Sequence, residues 1–300
     1  MSAQQDGGGR RIGRGGGIRW WVFIIAAAYA GYYFFSNRTV DPTTGEKVLI
    51  DKSLSIEDEE ALGLQAFQEI LAQEPTVSPD AEIARDIREV AQRLIAKVEP
   101  VEAALAAENN LAPQHISRGF EWDVQVIESD QVNAFCLPGG KMAVYTGLVP
   151  VAQNADAMAA VMGHEIAHAL LRHGAQRMAQ QKLSQIGQAA GALSGMDPQQ
   201  QQMVMAAMGY GVLMPYARKH ENEADEIGLL LAAAACYDPR ESIPLWERME
   251  AQSQGQKPPE FMSTHPSGAT RIQHLQSLMP KALEMRARSN CPPLGASPAA

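Results

Sequence analysis

The sequence predicts an α+β fold that is mostly helical, with one small antiparallel sheet and one N-terminal membrane helix. Three patterns predict it: an uncharged apolar run near the N-terminus, helical spacing of apolar residues through most of the chain, and a period of two between residues 121 and 146. The 300 residues are 46% hydrophobic, which is enough to bury one sizeable core. The net charge of -9 argues against a phosphate-binding surface, so nucleic acid is not an expected partner.

The N-terminus carries a membrane-targeting pattern. Residues 1–19 form a basic tail with four arginines, and the uncharged run at residues 20–36 follows. The run is slightly shorter than the ~20 residues of a full span, but aromatic residues at both ends suit the two membrane interfaces. We therefore expect a single-pass signal anchor in the inner (cytoplasmic) membrane, with the tail in the cytoplasm and the rest on the periplasmic side. A cleaved signal peptide is the alternative, because Ala28-Tyr29-Ala30 matches a small-x-small processing site.

The chain after this run divides into a linker, one domain and a tail. Residues 37–54 are predicted to be a linker with a turn at residues 41–45, because Pro and Gly interrupt it and no apolar period persists. Residues 55–290 are predicted to be the main domain. Residues 291–300 are expected to be disordered.

Two packing helices are predicted at the start of this domain. Ser55 with Asp58 three residues later resembles a capping arrangement, and apolar residues then recur at helical spacing. A second helix is predicted from Ser78-Pro79 to about Lys97.

Extended structure and then more helices are predicted after residue 120. Alternation from Trp122 and an extended run at residues 141–146 predict the antiparallel sheet, and Asn154 or Asp156 can cap the helix that follows. The Ala, Gln and Met-rich stretch at residues 176–216 is predicted to be a helical insertion that covers a site, touches a membrane or simply packs. It is interrupted at Gly195 and begins again at Asp197-Pro198, and further helices are predicted at residues 219–235, 239–253 and 267–287.

A metal-binding pattern lies in the helix after the sheet, at His164-Glu165-Ile166-Ala167-His168. Residues four apart share a helix face, so both imidazoles can bind one zinc ion. Glu165 is rotated away from the ion, which suits a general base acting on a water that the cation acidifies. Because five-residue patterns occur by chance, a solvated helix with two histidines is the alternative interpretation.

Two further segments can complete the site. Glu221 and Asp225 are i, i+4 neighbours on a later helix, so one can bind the ion while the other accepts a proton from a ligand imidazole. Glu223 is expected to point elsewhere. His265 and Arg271 can stabilise an oxyanion if they converge on the metal, although a loop histidine and a surface arginine are the plain alternative.

The remaining histidines and the cysteines receive weaker assignments. His173 near a helix end is explained by the helix dipole, and His220 lies about 100° around its helix from Glu221, so neither is predicted to belong to the site. Cys236 and Cys291 are the favoured disulfide pair if the domain is in an oxidising compartment, and three buried thiols are the alternative.

These segments, in this order, resemble the gluzincin endopeptidase family that contains the CAAX prenyl-protein peptidases, HtpX and the single-anchor periplasmic and mitochondrial quality-control proteases. The resemblance covers about residues 54–278. It includes Asp58-Glu59-Glu60-Ala61-Leu62-Gly63, Asn133-Ala134-Phe135 with Leu137-Pro138-Gly139-Gly140, and Met214-Pro215-Tyr216-Ala217-Arg218. The single-anchor form is more similar to the periplasmic and mitochondrial members than to the polytopic ones.

The resemblance implies a zincin-like metallopeptidase domain with one Zn2+ held by His164, His168 and Glu221. It implies that Glu165 is the base and that Asp225 orients a ligand histidine. It also implies that His265 and Arg271 stabilise the transition state. In some relatives, a histidine at the position of His265 binds the metal in a latent state. Unfolded or misassembled envelope or membrane proteins are the expected substrates. An edge strand at residues 141–146 could bind them, and the equally favoured alternative is that this strand belongs to the core. A non-proteolytic chaperone or assembly factor with a structural zinc is the alternative, and the sequence leaves the oligomeric state open.

Overall fold

The computed structural model describes residues 18–209, 214–253, 260–265 and 269–294. These residues form eleven α-helices and five β-strands, so the fold is α+β and mostly helical as predicted. The helices are α1 (Trp20–Ser36), α2 (Ile56–Gln73), α3 (Glu82–Glu108), α4 (Val149–Ala152), α5 (Ala155–Leu170), α6 (His173–Ser194), α7 (Pro198–Met208), α8 (Met214–Ala234), α9 (Ser242–Ser253), α10 (Glu260–Thr264) and α11 (Ala269–Arg288). Within the described ranges, no helix has both the length and the apolar character that crossing a membrane requires.

The predicted N-terminal helix is present as α1, and it packs along α6. Its last turn is fixed to the domain through Tyr33, whose hydroxyl donates a hydrogen bond to Asp51 Oδ2 at 3.0 Å. At its other end the backbone N–H of Arg19 donates to the carbonyl oxygen of Ser194 at 2.7 Å. Lys182, earlier on α6, places Nζ 5.0 Å from the centre of the Tyr33 ring, so the two helices run antiparallel.

The segment predicted as a linker contains a β-hairpin instead. Strands β1 (Arg38–Val40) and β2 (Lys47–Leu49) pair antiparallel around the predicted turn, where the Asp41 carboxylate accepts hydrogen bonds from the Thr43 and Thr44 N–H groups. The short apolar run at the end of β2 is buried against Ala175 of α6. Sequence periodicity missed this hairpin because each strand has only three residues.

Helices α2 and α3 form as predicted, with different bounds for the second. Ser55 and Asp58 make the predicted capping box at the start of α2. Helix α3 begins four residues after Ser78 and continues through Pro100 to Glu108, because its apolar face stays buried in the main core beyond the predicted end.

The sheet between α3 and α5 is mixed, which corrects the antiparallel prediction. Strands β3 (Asp123–Ile127), β4 (Ala134–Leu137) and β5 (Lys141–Tyr145) lie in the order β3-β5-β4. A tight turn, with Gly139 and Gly140 at positive φ, joins β4 to β5 as an antiparallel hairpin. Strand β3 lies on the other side of β5, where it pairs in parallel. Strand β5 is therefore central, which excludes the edge-strand interpretation and agrees with the alternative that this strand belongs to the core.

Helix α5 is the centre of the core, because nearly all of its side chains are buried. Asn154 caps it by accepting a hydrogen bond from the Ala157 N–H at 2.8 Å. It packs against β4 on one side and against α8 on another. Helices α5 and α8 approach most closely at Gly163 and Gly228, where neither helix carries a Cβ.

The insertion and the C-terminal region are helical as predicted. Helix α6 ends before Gly195, which adopts positive φ, and α7 begins with a capping box between Asp197 and Gln200. Cys236 and Cys291 form a disulfide that joins the end of α8 to the residues after α11. The predicted disordered tail lies partly outside the described residues.

Candidate metal centre

Helix α5 brings the first three predicted site residues together. His164, Glu165 and His168 are all buried in the middle of the molecule. The Nε2 atoms of the two histidines lie 3.0 Å apart, as expected for residues one turn apart on the same face. Two buried ring nitrogens that face each other need a shared cation or proton between them.

Helix α8 supplies the predicted carboxylate. Glu221 Oε2 lies 3.4 Å from His164 Nε2, and Glu221 Oε1 lies 3.5 Å from His168 Nε2. The close approach of α5 and α8 at Gly163 and Gly228 makes this contact between two helices attainable.

A fourth donor comes from the residue that follows α10. His265 Nδ1 lies 3.3 Å from His164 Nε2 and 3.0 Å from Glu221 Oε2. His265 is buried, and its ring stacks on that of Phe261 one turn earlier. Its other nitrogen, Nε2, lies 3.6 Å from Glu165 Oε1.

These four side chains fit a zinc ion. The ligand atoms of His164, His168, Glu221 and His265 all lie within 4.8 Å of one another. Tetrahedral ligands at zinc distances of ~2.0–2.1 Å are separated by about 3.3 Å. The five separations given above range from 3.0 to 3.5 Å and agree with that spacing. Two imidazole donors with a carboxylate are a donor set that zinc prefers.

A second layer of charged groups holds these ligands. Asp225, one turn after Glu221 on α8, places Oδ1 3.0 Å from His164 Nδ1. Arg271 of α11 donates to Asp225 Oδ1 at 2.5 Å and to Glu221 Oε2 at 3.2 Å. The Arg271 guanidinium also lies 3.5 Å above the Trp246 ring. Asp225 and Arg271 are therefore held in position without a metal ion.

The pKa values of the site follow from burial and close charges. Burial would lower the pKa of His164, but hydrogen bonds with Asp225 and Glu221 raise it to about 9 in the metal-free protein. Burial would raise the pKa of Glu221, but its contacts with His164 and His265 lower it strongly. Burial raises the pKa of Glu165, and its Oε1 atom has no hydrogen-bond partner among the described residues. An unpartnered buried carboxylate beside a metal-binding cluster is suited to accept a proton.

Three residues beside the ligands were not predicted to belong to the site. His173 Nδ1 lies 2.8 Å from His168 Nδ1, and the His173 ring stacks on the His220 ring with centroids 4.2 Å apart. Glu223 Oε2 lies 3.4 Å from His173 Nε2. The dipole explanation for His173 misses this contact, because Arg172 adopts positive φ and turns the start of α6 back towards α5. A histidine directly after a helix end is the only sequence signal for it.

The structure thus brings all of the predicted site residues into one cluster. His164, His168, Glu221 and His265 offer the donor atoms. The other three predicted residues, Glu165, Asp225 and Arg271, contact those donors. The individual roles assigned to these residues stay predictions.

Comparison with known proteins gives a family match. The sequence profile of peptidase family M48 matches residues 85–279, which is more than half of the chain and contains every predicted site residue. The mitochondrial metalloendopeptidase OMA1 of Schizosaccharomyces pombe is 41% identical over 177 residues, which are 57% of this chain and 51% of that protein. The human metalloendopeptidase OMA1, mitochondrial, is 39% identical over 186 residues, which are 58% of this chain and 36% of that protein.

A bacterial relative is more distant. The β-barrel assembly-enhancing protease of Yersinia pestis is 27% identical over 230 residues, which are 73% of this chain and 43% of that protein. The chain thus matches about a third to a half of the length of these relatives. They support the broader peptidase family, whereas the more specific resemblance to the HtpX and CAAX-peptidase type is not supported by them.

Proposed function

Because the chain belongs to peptidase family M48, we propose that it is a zinc-dependent metalloendopeptidase that hydrolyses peptide bonds of unfolded or misassembled envelope or membrane proteins. The observation that carries the proposal is the buried cluster of His164, His168, Glu221 and His265, whose donor atoms match the spacing of zinc ligands. The names of the relatives, which are a metalloendopeptidase and a protease, support the same activity.

The reaction assigns a distinct task to each side chain. Zinc, when bound, supplies a Lewis acid that acidifies a water and polarises the scissile carbonyl. Glu165 would accept a proton from the attacking water and return it to the leaving amine. Asp225 holds His164 through its Nδ1 atom, and Arg271 holds both Asp225 and Glu221. Arg271 also supplies a fixed positive charge close to the site of oxyanion formation.

His265 closes this site, and cleavage requires it to move. Catalytic zinc sites have three protein ligands and one open position, whereas four protein donors are typical of structural sites. Since His265 also lies between the other ligands and Glu165, it blocks the space in which the base would act. The conformation described is therefore a latent one in our proposal, and Glu165 becomes useful only when His265 leaves.

Substrates would pair with β4, the strand next to α5. The other edge of the sheet is covered, because the Val77 N–H donates to the Val126 carbonyl oxygen and Arg88 Nε donates to the Val124 carbonyl oxygen. The β4–β5 register leaves the backbone groups of Ala134 and Cys136 directed away from β5. Main-chain pairing of this kind gives broad specificity for extended polypeptides.

Attachment to the membrane through α1 is part of the proposal. Seven large apolar side chains of α1 are exposed: Trp20, Trp21, Ile24, Ile25, Tyr29, Tyr32 and Phe35. The neighbouring helices α6 and α7 add exposed Leu193 and Met203, and the sequence from residue 183 to 217 contains Asp197 as its single charge. Lipid would cover this surface. The Cys236–Cys291 disulfide favours an oxidising compartment, in agreement with a catalytic domain outside the cytoplasm.

A Glu165→Gln substitution tests the activity. We expect purified wild-type protein to contain about one zinc per chain and to cleave casein, and the variant to keep the zinc but lose about 10²–10⁴-fold in kcat/KM. Glu226→Gln, which changes a half-buried carboxylate on α8 that contacts Lys281, is the matched control and should cleave normally. Undiminished cleavage by the Glu165 variant would refute the assigned base.

The four-donor set also supports a second candidate, a chaperone or assembly factor whose zinc is structural. This candidate predicts suppression of aggregation of an unfolded protein that is equal in wild type and Glu165→Gln, without cleavage by either. Cleavage by wild type alone excludes it.

A further inference from the structure

We infer that His173 is a positioning residue that fixes the tautomer and the ring orientation of His168. Glu223 favours a hydrogen on the other ring nitrogen of His173. The inference rests on the proposed function, because it concerns how this chain presents His168 to a zinc ion. It extends the site beyond the ligands, Glu165, Asp225 and Arg271.

The contact between the two histidines is short and buried. His173 is 1% exposed and is the first residue of α6. Its Nδ1 atom lies 2.8 Å from Nδ1 of His168, on the side of the His168 ring opposite the cluster. Arg172, which joins α5 to α6, adopts positive φ and changes the direction of the chain immediately before His173.

The direction of the proton in this contact follows from metal binding. His168 Nε2 faces the other ligands, so it must offer its lone pair to the ion. The hydrogen of a neutral His168 is then on Nδ1, and His173 Nδ1 must accept it. His173 in turn carries its own hydrogen on Nε2.

Groups behind His173 favour the same tautomer. Glu223 Oε2 lies 3.4 Å from Nε2, so its negative charge stabilises a hydrogen at that atom. Lys219 Nζ lies 3.5 Å from the other oxygen of Glu223 and keeps that carboxylate in place. On one face, the His220 ring stacks on His173 at an interplanar angle of 15°, and Gln176 Oε1 lies 3.0 Å from His220 Nε2. His173 therefore has little freedom to rotate.

The contact with His173 should increase the affinity of the site for a metal ion. Partners that orient a ligand histidine through its second nitrogen typically contribute 10–100-fold to metal affinity. Asp225 holds His164 through Nδ1 with a carboxylate, whereas His168 is held by an imidazole at the same atom. Each ligand histidine of α5 thus has one acceptor that fixes its tautomer.

Two substitutions separate positioning from packing. The Oδ1 atom of His173→Asn can replace Nδ1 as an acceptor, whereas His173→Leu fills similar space without one. We expect the Leu variant of the full chain to bind zinc 10–100-fold more weakly in competition with a chelator, and the Asn variant to remain within about threefold of wild type. His274→Leu, which changes a half-buried histidine on α11 that lies outside the cluster, is the matched control and should not change zinc affinity.

Equal losses in the Asn and Leu variants, or no loss in the Leu variant, would overturn the inference. If the Leu variant does not fold, nitrogen-15 NMR of the zinc-loaded wild type decides the matter. It should show both His168 and His173 neutral, with the His168 hydrogen on Nδ1 and the His173 hydrogen on Nε2, and a hydrogen on His173 Nδ1 would contradict us. A wild type that binds no zinc would instead reject the proposed function.

Discussion

A Gly228→Ala substitution should weaken zinc binding while leaving the protein folded. Helices α5 and α8 touch at Gly163 and Gly228, and a Cβ built at residue 228 would lie 2.5 Å from the His164 backbone nitrogen and 2.7 Å from the Gly163 carbonyl carbon. Comfortable contacts between such atoms begin near ~3.5 Å. The alanine must therefore push the two helices apart by about 1 Å at this point.

The displacement is larger than the metal site tolerates. Glu221 precedes Gly228 by seven residues, which is about two turns, so the two residues lie on the same face of α8. A shift of about 1 Å at residue 228 moves Glu221 away from the imidazoles of α5, whereas metal–ligand distances tolerate only ~0.2 Å. We expect a loss of at least ~10-fold in zinc affinity.

The effect on folding is smaller because two terms oppose each other. Overpacking of a core costs ~1–3 kcal/mol, whereas replacing glycine by alanine inside a helix contributes about 1 kcal/mol. The metal-free variant should thus be destabilised by no more than ~2 kcal/mol in urea unfolding followed by circular dichroism. Zinc affinity is measured by chelator competition on the same samples.

Gly191→Ala on α6 is the matched control. A Cβ at residue 191 would meet only Gln201, at an ordinary contact distance of 3.6 Å. This variant should keep wild-type zinc affinity and gain up to about 1 kcal/mol in stability. Zinc affinity of Gly228→Ala within twofold of wild type would refute the argument that the glycine contact sets the ligand geometry.

Two further predictions concern protons and the disulfide. The pKa of His164 is raised to about 9 in the metal-free protein, so zinc must displace a proton from His164 at lower pH. Isothermal titration calorimetry should therefore show the apparent zinc affinity rising about 10-fold between pH 7 and pH 8. A zinc affinity that does not change with pH would contradict this prediction. Changing Cys236 and Cys291 to Ser opens a loop of 55 residues. The free energy of unfolding measured in urea should fall by about 2–4 kcal/mol, with zinc content unchanged. If a reducing agent does not change the stability of the wild type, the disulfide is not present.

The parts of the fold that were predictable from sequence depend on neighbouring residues. The caps at Ser55, Asn154 and Asp197 form as expected, because each uses a side chain and an N–H group three residues later. The ligand pair on α5 was predictable for the same reason, since residues four apart must share a face.

The parts that were missed depend on contacts between distant segments. The tight turn at Gly139 and Gly140 joins β4 to β5, and β3 pairs with β5 across the sheet although β4 lies between them in the chain. The role of His173 depends on a single positive φ at Arg172, in a residue type that rarely adopts it. Neither feature produces a periodic pattern, so periodicity could not find them.

Helix α10 links the metal to the proposed substrate strand. The Phe261 N–H donates to the Val132 carbonyl oxygen just before β4, and His265 one turn later contacts Glu221 and Glu165. Only four residues separate these two contacts, so a displacement of the whole of α10 would change both of them. In the proposed function, the strand proposed for substrates and the histidine that closes the site are therefore joined through one short helix.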